Sequence, residues 1–250
     1  MLYRIQARVD SVLGFVRRQK HNYRVGVVRS SADSFLMGFT NQYNAIYTVG
    51  LGADSVQLGS LSSIGSALSA LVSIPTGWLV DRKGVRLFSL LAIILSAGGA
   101  LFYALAHDWH VLIAAAVLAS MATRFSSTSS SVICADSVQN QDRVTAQNLC
   151  GILSSVASTI SPLVAAYLVT AFGGMNQEGI RPLYTLRFAG YGLVFLFVAF
   201  KLREPQWEHL GEAKRSLGFI SDFRQLFQGR PGLKRWVIVS ALTALPMPMF

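Results

Sequence analysis

The chain is short of charge. Only 14% of its 250 residues are Asp, Glu, Lys or Arg, whereas a soluble globular domain carries about a quarter. With 52% hydrophobic residues and a mean hydropathy of +0.44, too little polar surface remains to meet water, which excludes an ordinary soluble fold. Acidic residues are the scarcest charge, 12 against 22 Lys and Arg, for a formal net charge of +10. That excess falls in clusters between apolar runs and not in a stripe along one polar face, so it speaks for a membrane and against nucleic acid as partner. Two cysteines, Cys134 and Cys150, are too few for a disulfide framework and lack the spacing of a zinc or redox site, so both read as packing residues.

Reactive constellations are missing as well. There is no H-E-x-x-H, no G-x-S-x-G and no P-loop, so neither catalysis nor direct ATP consumption is expected of these residues. His107 and His110 stand three apart in one turn without a further ligand nearby, and neither metal nor cofactor is expected. The first residues contain no uninterrupted apolar core, so they do not form a cleavable signal peptide. Residues 1–24 carry Arg4, Arg8, Arg17, Arg18 and Lys20. Leu2, Ile5, Val9 and Val16 recur at helical spacing opposite Arg4 and Arg8, which gives either an interfacial helix or a frayed basic tail.

What the sequence has is apolar segments of bilayer-spanning length, about 20 residues each. Six follow one another, at about 25–50, 56–80, 85–106, 109–133, 146–172 and 183–200. The expected fold is therefore an all-α integral membrane bundle of six spans. A polar, amphipathic linker follows at 201–232, and a seventh apolar run opens at 233–250. Lys and Arg mark the sides: the first 24 residues, Arg82, Lys83, Arg86, Arg143 and the linker fall on one side when six spans are threaded. The positive-inside bias assigns that side to the cytoplasm, with both ends of the bundle cytoplasmic, in a multi-pass protein of the cell membrane. Tyr103, Trp109 and Tyr184 then fall at outer helix ends, where interfacial anchors stand.

Between the second and third spans lies Gly77-Trp78-Leu79-Val80-Asp81-Arg82-Lys83-Gly84-Val85-Arg86. A short turn here needs the backbone freedom of Gly84, Gly77 lets another helix approach closely, and Asp81 at a helix end can accept hydrogen bonds. This loop resembles G-x-L-x-D-R-x-G-x-R, the signature of major facilitator superfamily transporters. The resemblance implies the N-terminal half of a twelve-helix transporter, whose C-terminal six-helix half would be a partner. It also implies that Asp81, Arg82, Gly84 and Arg86 belong to a cytoplasmic latch with Gly77, in which Arg86 pairs with Asp136 at the inner end of span four.

Polar residues inside the spans are the candidates for a solute or proton path. Arg124 lies among Ala122, Thr123, Ser126, Ser127 and Thr128, roughly 18 Å of helical rise from Asp136 and so near the midplane. The family often has an arginine in this span, within a glycine-rich motif where this sequence has serines. Span one carries Arg29, Asp33, Asn41, Gln42, Tyr43, Asn44 and Tyr47, more polarity than a lipid-facing helix tolerates, and should line a cavity. Arg29 and Asp33, four apart, either neutralise each other or couple to protons. Asn41, Gln42, Tyr43 and Asn44 either meet a polar solute or join helices. Arg187 either snorkels to the interface or lines the outer vestibule. Ala157 to Ala166, small residues around Pro162, resembles the glycine-proline motif of the family's drug-proton antiporters without its glycines.

The function expected is secondary transport of a small solute by alternating access, with H+ or another ion as a coupling partner and the lipid bilayer as solvent. The alternatives are a non-transporting receptor or assembly subunit on the same fold, and a half-size transporter that dimerises.

Overall fold

The computed structural model describes residues 21–138, 142–202 and 239, without the side chains of residues 74, 81, 135 and 136. The basic segment up to residue 20 and, apart from Lys201, Leu202 and Val239, the linker and seventh apolar run lie outside the described residues. Among the described residues, seven helices make the regular structure: α1 His21–Asn41, α2 Asn44–Gly50, α3 Ser55–Lys83, α4 Val85–Leu105, α5 Val111–Asp136, α6 Arg143–Ala171 and α7 Gln177–Lys201.

The helices run past the apolar segments at several ends, because a helix continues into the polar zone beyond the hydrocarbon. The first apolar segment is in two pieces. At Gln42 and Tyr43 the backbone tightens into a turn, the Tyr43 amide donating to the Thr40 carbonyl at 2.9 Å, and the Tyr43 ring turns into the core. α3 starts at a capping box, in which the Asp54 carboxylate accepts from the Ser55 amide at 2.7 Å and the Gln57 side chain accepts from the Asp54 amide at 2.9 Å. It stops at Gly84, whose φ of 90° favours glycine and lets α4 begin at the next residue.

The packing order is not the chain order. α4 lies against both α5 and α7, α3 leans on α5, and α1 sits against α6 and α7 with a lighter contact to α5. Small residues permit these contacts where no water is present to drive apolar association. Ser161 of α6 donates to the Phe35 carbonyl at 2.5 Å, and the Ser30 and Ser154 hydroxyls meet at 2.9 Å, so the small-residue stretch around Pro162 packs on α1. At Gly26 of α1 an added Cβ would stand 2.6 Å from the Cγ2 of buried Ile133.

Five of the helices are long and apolar enough to cross a membrane, namely α3 to α7. Their outward surfaces carry Leu71, Leu163, Leu193, Leu196 and Phe200, as a lipid-facing surface requires. α1 falls short by hydropathy because it is polar along its length, and its neighbours enclose it instead. Two buried clusters close the ends of the bundle. At one, Tyr103 and Tyr184 stack with centroids 4.7 Å apart, and Tyr47 packs on Tyr184 at 5.0 Å. Tyr103 and Tyr184 were expected at an interface and Tyr47 along a cavity, yet Tyr184 and Tyr47 are fully buried, because their hydroxyls find partners inside: Asn44 at 2.7 Å and the Tyr103 carbonyl at 2.9 Å. At the other end Tyr23 donates to the Ala146 carbonyl at 3.0 Å over Cys134 and Cys150, both buried and free.

The α1–α5 contact predicts that Gly26→Ala destabilises by about 1–3 kcal/mol, since the Cγ2 of Ile133 cannot swing away as a chain end would. Gly151→Ala, where the added Cβ meets nothing within 4 Å, is expected to be neutral. Thermal unfolding of the two variants in detergent checks the contrast.

Candidate functional site

Three helices turn pairs of polar residues toward each other at one level of the bundle. Each pair is spaced by four, so its members lie on one helix face: Arg29 and Asp33 on α1, Ser126 and Ser130 on α5, Arg187 and Tyr191 on α7. Arg29 is 1% exposed and Arg187 8%, so neither is a snorkelling cation.

The bonds between them run through hydroxyls. Arg29 donates from Nη1 to Ser130 Oγ at 2.8 Å and from Nη2 to Ser126 Oγ at 3.2 Å. Ser126 Oγ donates in turn to Asp33 Oδ2 at 2.6 Å, and the Tyr191 hydroxyl donates to Asp33 Oδ1 at 3.0 Å. Arg187 Nη1 donates to Thr40 Oγ1 at 2.6 Å, and its guanidinium lies 5.5 Å from the Tyr191 ring centroid. The Nε atoms of Arg29 and Arg187 are buried and have no hydrogen-bond partner.

Of these groups Asp33, Arg187, Ser126 and Ser130 line a cavity of about 220 Å³, together with Ser34, Ser96 and Thr123, while Arg29 and Tyr191 stand behind the lining. The Arg29 hydroxyl partners Ser126 and Ser130 both line it. Hydroxyls and a carboxylate among apolar helices are costly to keep, which makes this place the candidate site.

The residues singled out in the sequence scatter around this cavity. Asp33 lines it. Arg124 does not: it lies exposed on α5, its Nε donating to Ser69 Oγ of α3 at 2.5 Å. Asn41 and Gln42 are exposed at the break after α1, Tyr43 is core, and Asn44 accepts the bond from Tyr184. The sequence left Arg29 and Asp33 open between neutralising each other and coupling to protons, and it did not point to Tyr191 or Ser130. The signal available was the i, i+4 pairing of hydrogen-bonding residues on three separate spans.

In the signature loop, Arg82 lies over the Trp78 ring at 4.1 Å and Arg86 donates to the Ala199 carbonyl of α7 at 2.8 Å. An added Cβ at Gly77 meets nothing within 4 Å, so the close helix approach expected there is not made by the described residues. The side chains of Asp81 and Asp136, and with them the expected pairing to Arg86, lie outside the described residues.

A multi-span helical bundle with a charged, hydroxyl-lined cavity between its helices defines a membrane transport protein by class. The profile of the Major Facilitator Superfamily matches residues 30–250, and the chain belongs to that family, whose members are transporters and not enzymes. No curated protein gives a match.

The Asp33 geometry predicts a graded effect on stability. Asp33→Ala strips the acceptor from Ser126 and Tyr191 and is expected to cost about 1–3 kcal/mol. Asp33→Asn keeps one carbonyl acceptor and costs less, as the order of thermal midpoints in detergent will report.

Proposed function

We propose that the chain supplies one wall of the solute site of a secondary active transporter that works by alternating access, with the α1–α5–α7 cavity as that wall. The observation that carries this reading is the cavity itself, where Asp33, Arg187 and a set of hydroxyls face space in the middle of a bundle that is otherwise apolar. In transporters the site lies between two repeats near the midplane and is exposed to each side in turn. On this reading a second six-helix half faces the cavity and completes it. The cluster of Lys and Arg at the α3–α4 turn supports a cytoplasmic placement for that end of the bundle, in the cell membrane.

Asp33 is the carboxylate of the described cavity lining, which makes it the group to take up a coupling proton. The signature residues Asp81, Arg82 and Arg86, with Asp136, then act as the latch that opens and closes the cytoplasmic side. Arg86 supports this part by reaching across to the last turns of α7.

The test is flux into proteoliposomes holding the full-length protein under an imposed proton gradient. Asp33→Asn is expected to lose gradient-driven accumulation by about tenfold or more while still exchanging solute across the bilayer, because exchange needs no net proton movement. Arg86→Ala is expected to slow both. Accumulation by Asp33→Asn equal to the parent would remove the proton role, and no flux of any screened solute would favour a receptor or assembly subunit.

A further inference from the structure

We propose that the α1–α5–α7 cavity takes a small monoanion, a carboxylate held by Arg187. This rests on the reading of that cavity as the solute site and names the class of solute.

The first argument is charge. Two guanidiniums share one carboxylate, Asp33, so the described cluster carries one positive charge in excess. A buried cation without a counterion costs several kcal/mol, and that cost is recovered when a counterion arrives. Neither arginine meets it from within by an ion pair: Arg29 bonds Ser126 and Ser130, and Arg187 bonds Thr40, all of them neutral hydroxyls. Asp33 spends its two oxygens on Ser126 and Tyr191.

The second argument is unused donor capacity. A guanidinium offers five N–H groups in a fixed fork that matches a carboxylate. The Nε–H of Arg29 and that of Arg187 are both buried and both without an acceptor, and a buried donor left unpaired is costly. Arg181 has the same defect but shares its recess with Glu178, so an acid of the chain itself is at hand. Nothing comparable serves Arg29 and Arg187 beyond the one carboxylate they share.

The third is placement. Arg29 precedes the stretch of α1 that lines the cavity, Ser30 to Met37, while Arg187 is anchored at Thr40 just beyond it. Arg187 itself lines the cavity, whereas Arg29 stands behind Ser126 and Ser130, which do. Ser34, Ser96 and Thr123 supply further hydroxyl donors around Arg187's cavity. At about 220 Å³ the space is below the range of about 300–1,000 Å³ usual for drug-sized ligands, which restricts the anion to a small one.

The experiment is ligand-dependent thermal unfolding of the full-length protein in detergent with lactate and benzoate, their neutral amides lactamide and benzamide, and inorganic phosphate. A saturable rise in melting temperature with a carboxylate, absent with its amide, is the result expected. Arg187→Gln should weaken that binding about tenfold or more, with Arg187→Lys falling between, since the charge survives and the fork does not. Equal stabilisation by acid and amide, a response to phosphate alone, or no saturable response to either carboxylate would each overturn the proposal. The acid-and-amide comparison uses the unaltered protein, so a variant that fails to fold does not rescue or sink it. Because binding is read without flux, transport of neutral solutes alone would defeat the anion and leave the transport reading standing.

Discussion

The bundle depends on holding a carboxylate and two guanidiniums apart with hydroxyls between otherwise apolar helix faces. An ion pair in direct contact would satisfy both partners and close the site to anything else. The chain instead runs from Arg29 through Ser126 to Asp33 and on to Tyr191, so that each charge is steadied by a neutral group that can also turn toward a solute. This arrangement dictates the packing around it. α1 is too polar to face lipid along its length, so it lies against α6 and α7 with α5 beside it. Small residues on α6 and Gly26 on α1 then bring the backbones close enough for serine and threonine hydroxyls to reach across.

α7 joins this site to the signature turn. Arg187 lines the cavity and Tyr191 bonds its Asp33, and Ala199, eight residues beyond Tyr191 and so roughly 12 Å farther along the axis, accepts the bond from Arg86. A helix is stiff over that distance, so a change at the turn is passed to the cavity as a displacement of the whole segment. The same geometry ties the basic turn to the cavity, since Arg86 reaches α7, the helix that carries Arg187 and Tyr191.

Much of the fold was legible because the apolar runs of a membrane protein must be about 20 residues long and its cations must gather on one side. The signature loop added the family, since few sequences place Gly84, Asp81, Arg82 and Arg86 at that spacing between two apolar runs. The site was legible only in part. Asp33 was found by its charge, but Arg124 drew the same inference and points to Ser69 on the other side of α5. A buried charge announces its cost and not its direction; whether it faces a cavity depends on which helices pack together. Here α1 adjoins α6 and α7, far along the chain, and no local pattern shows that. Tyr184 and Tyr103 mislead for the related reason that a tyrosine ring satisfies an interface or a core equally well once its hydroxyl has a partner.

The two ends of the bundle differ in how they are closed, and that bears on where motion can occur. Tyr47, Tyr103 and Tyr184 bring α2, α4 and α7 together in one aromatic pack whose hydroxyls from Tyr47 and Tyr184 are already spent inside it. Prying it apart would expose three rings and leave buried donors unmet, so that end should stay assembled while the cavity fills and empties. At the other end a smaller buried cluster around Tyr23, Cys134 and Cys150 joins α1, α5 and α6, and Arg86 holds α7 by a backbone carbonyl. If access to the cavity alternates, the described helices, joined at both ends, therefore move as one body, and the opening and closing falls to contacts this body makes with the surface that faces it.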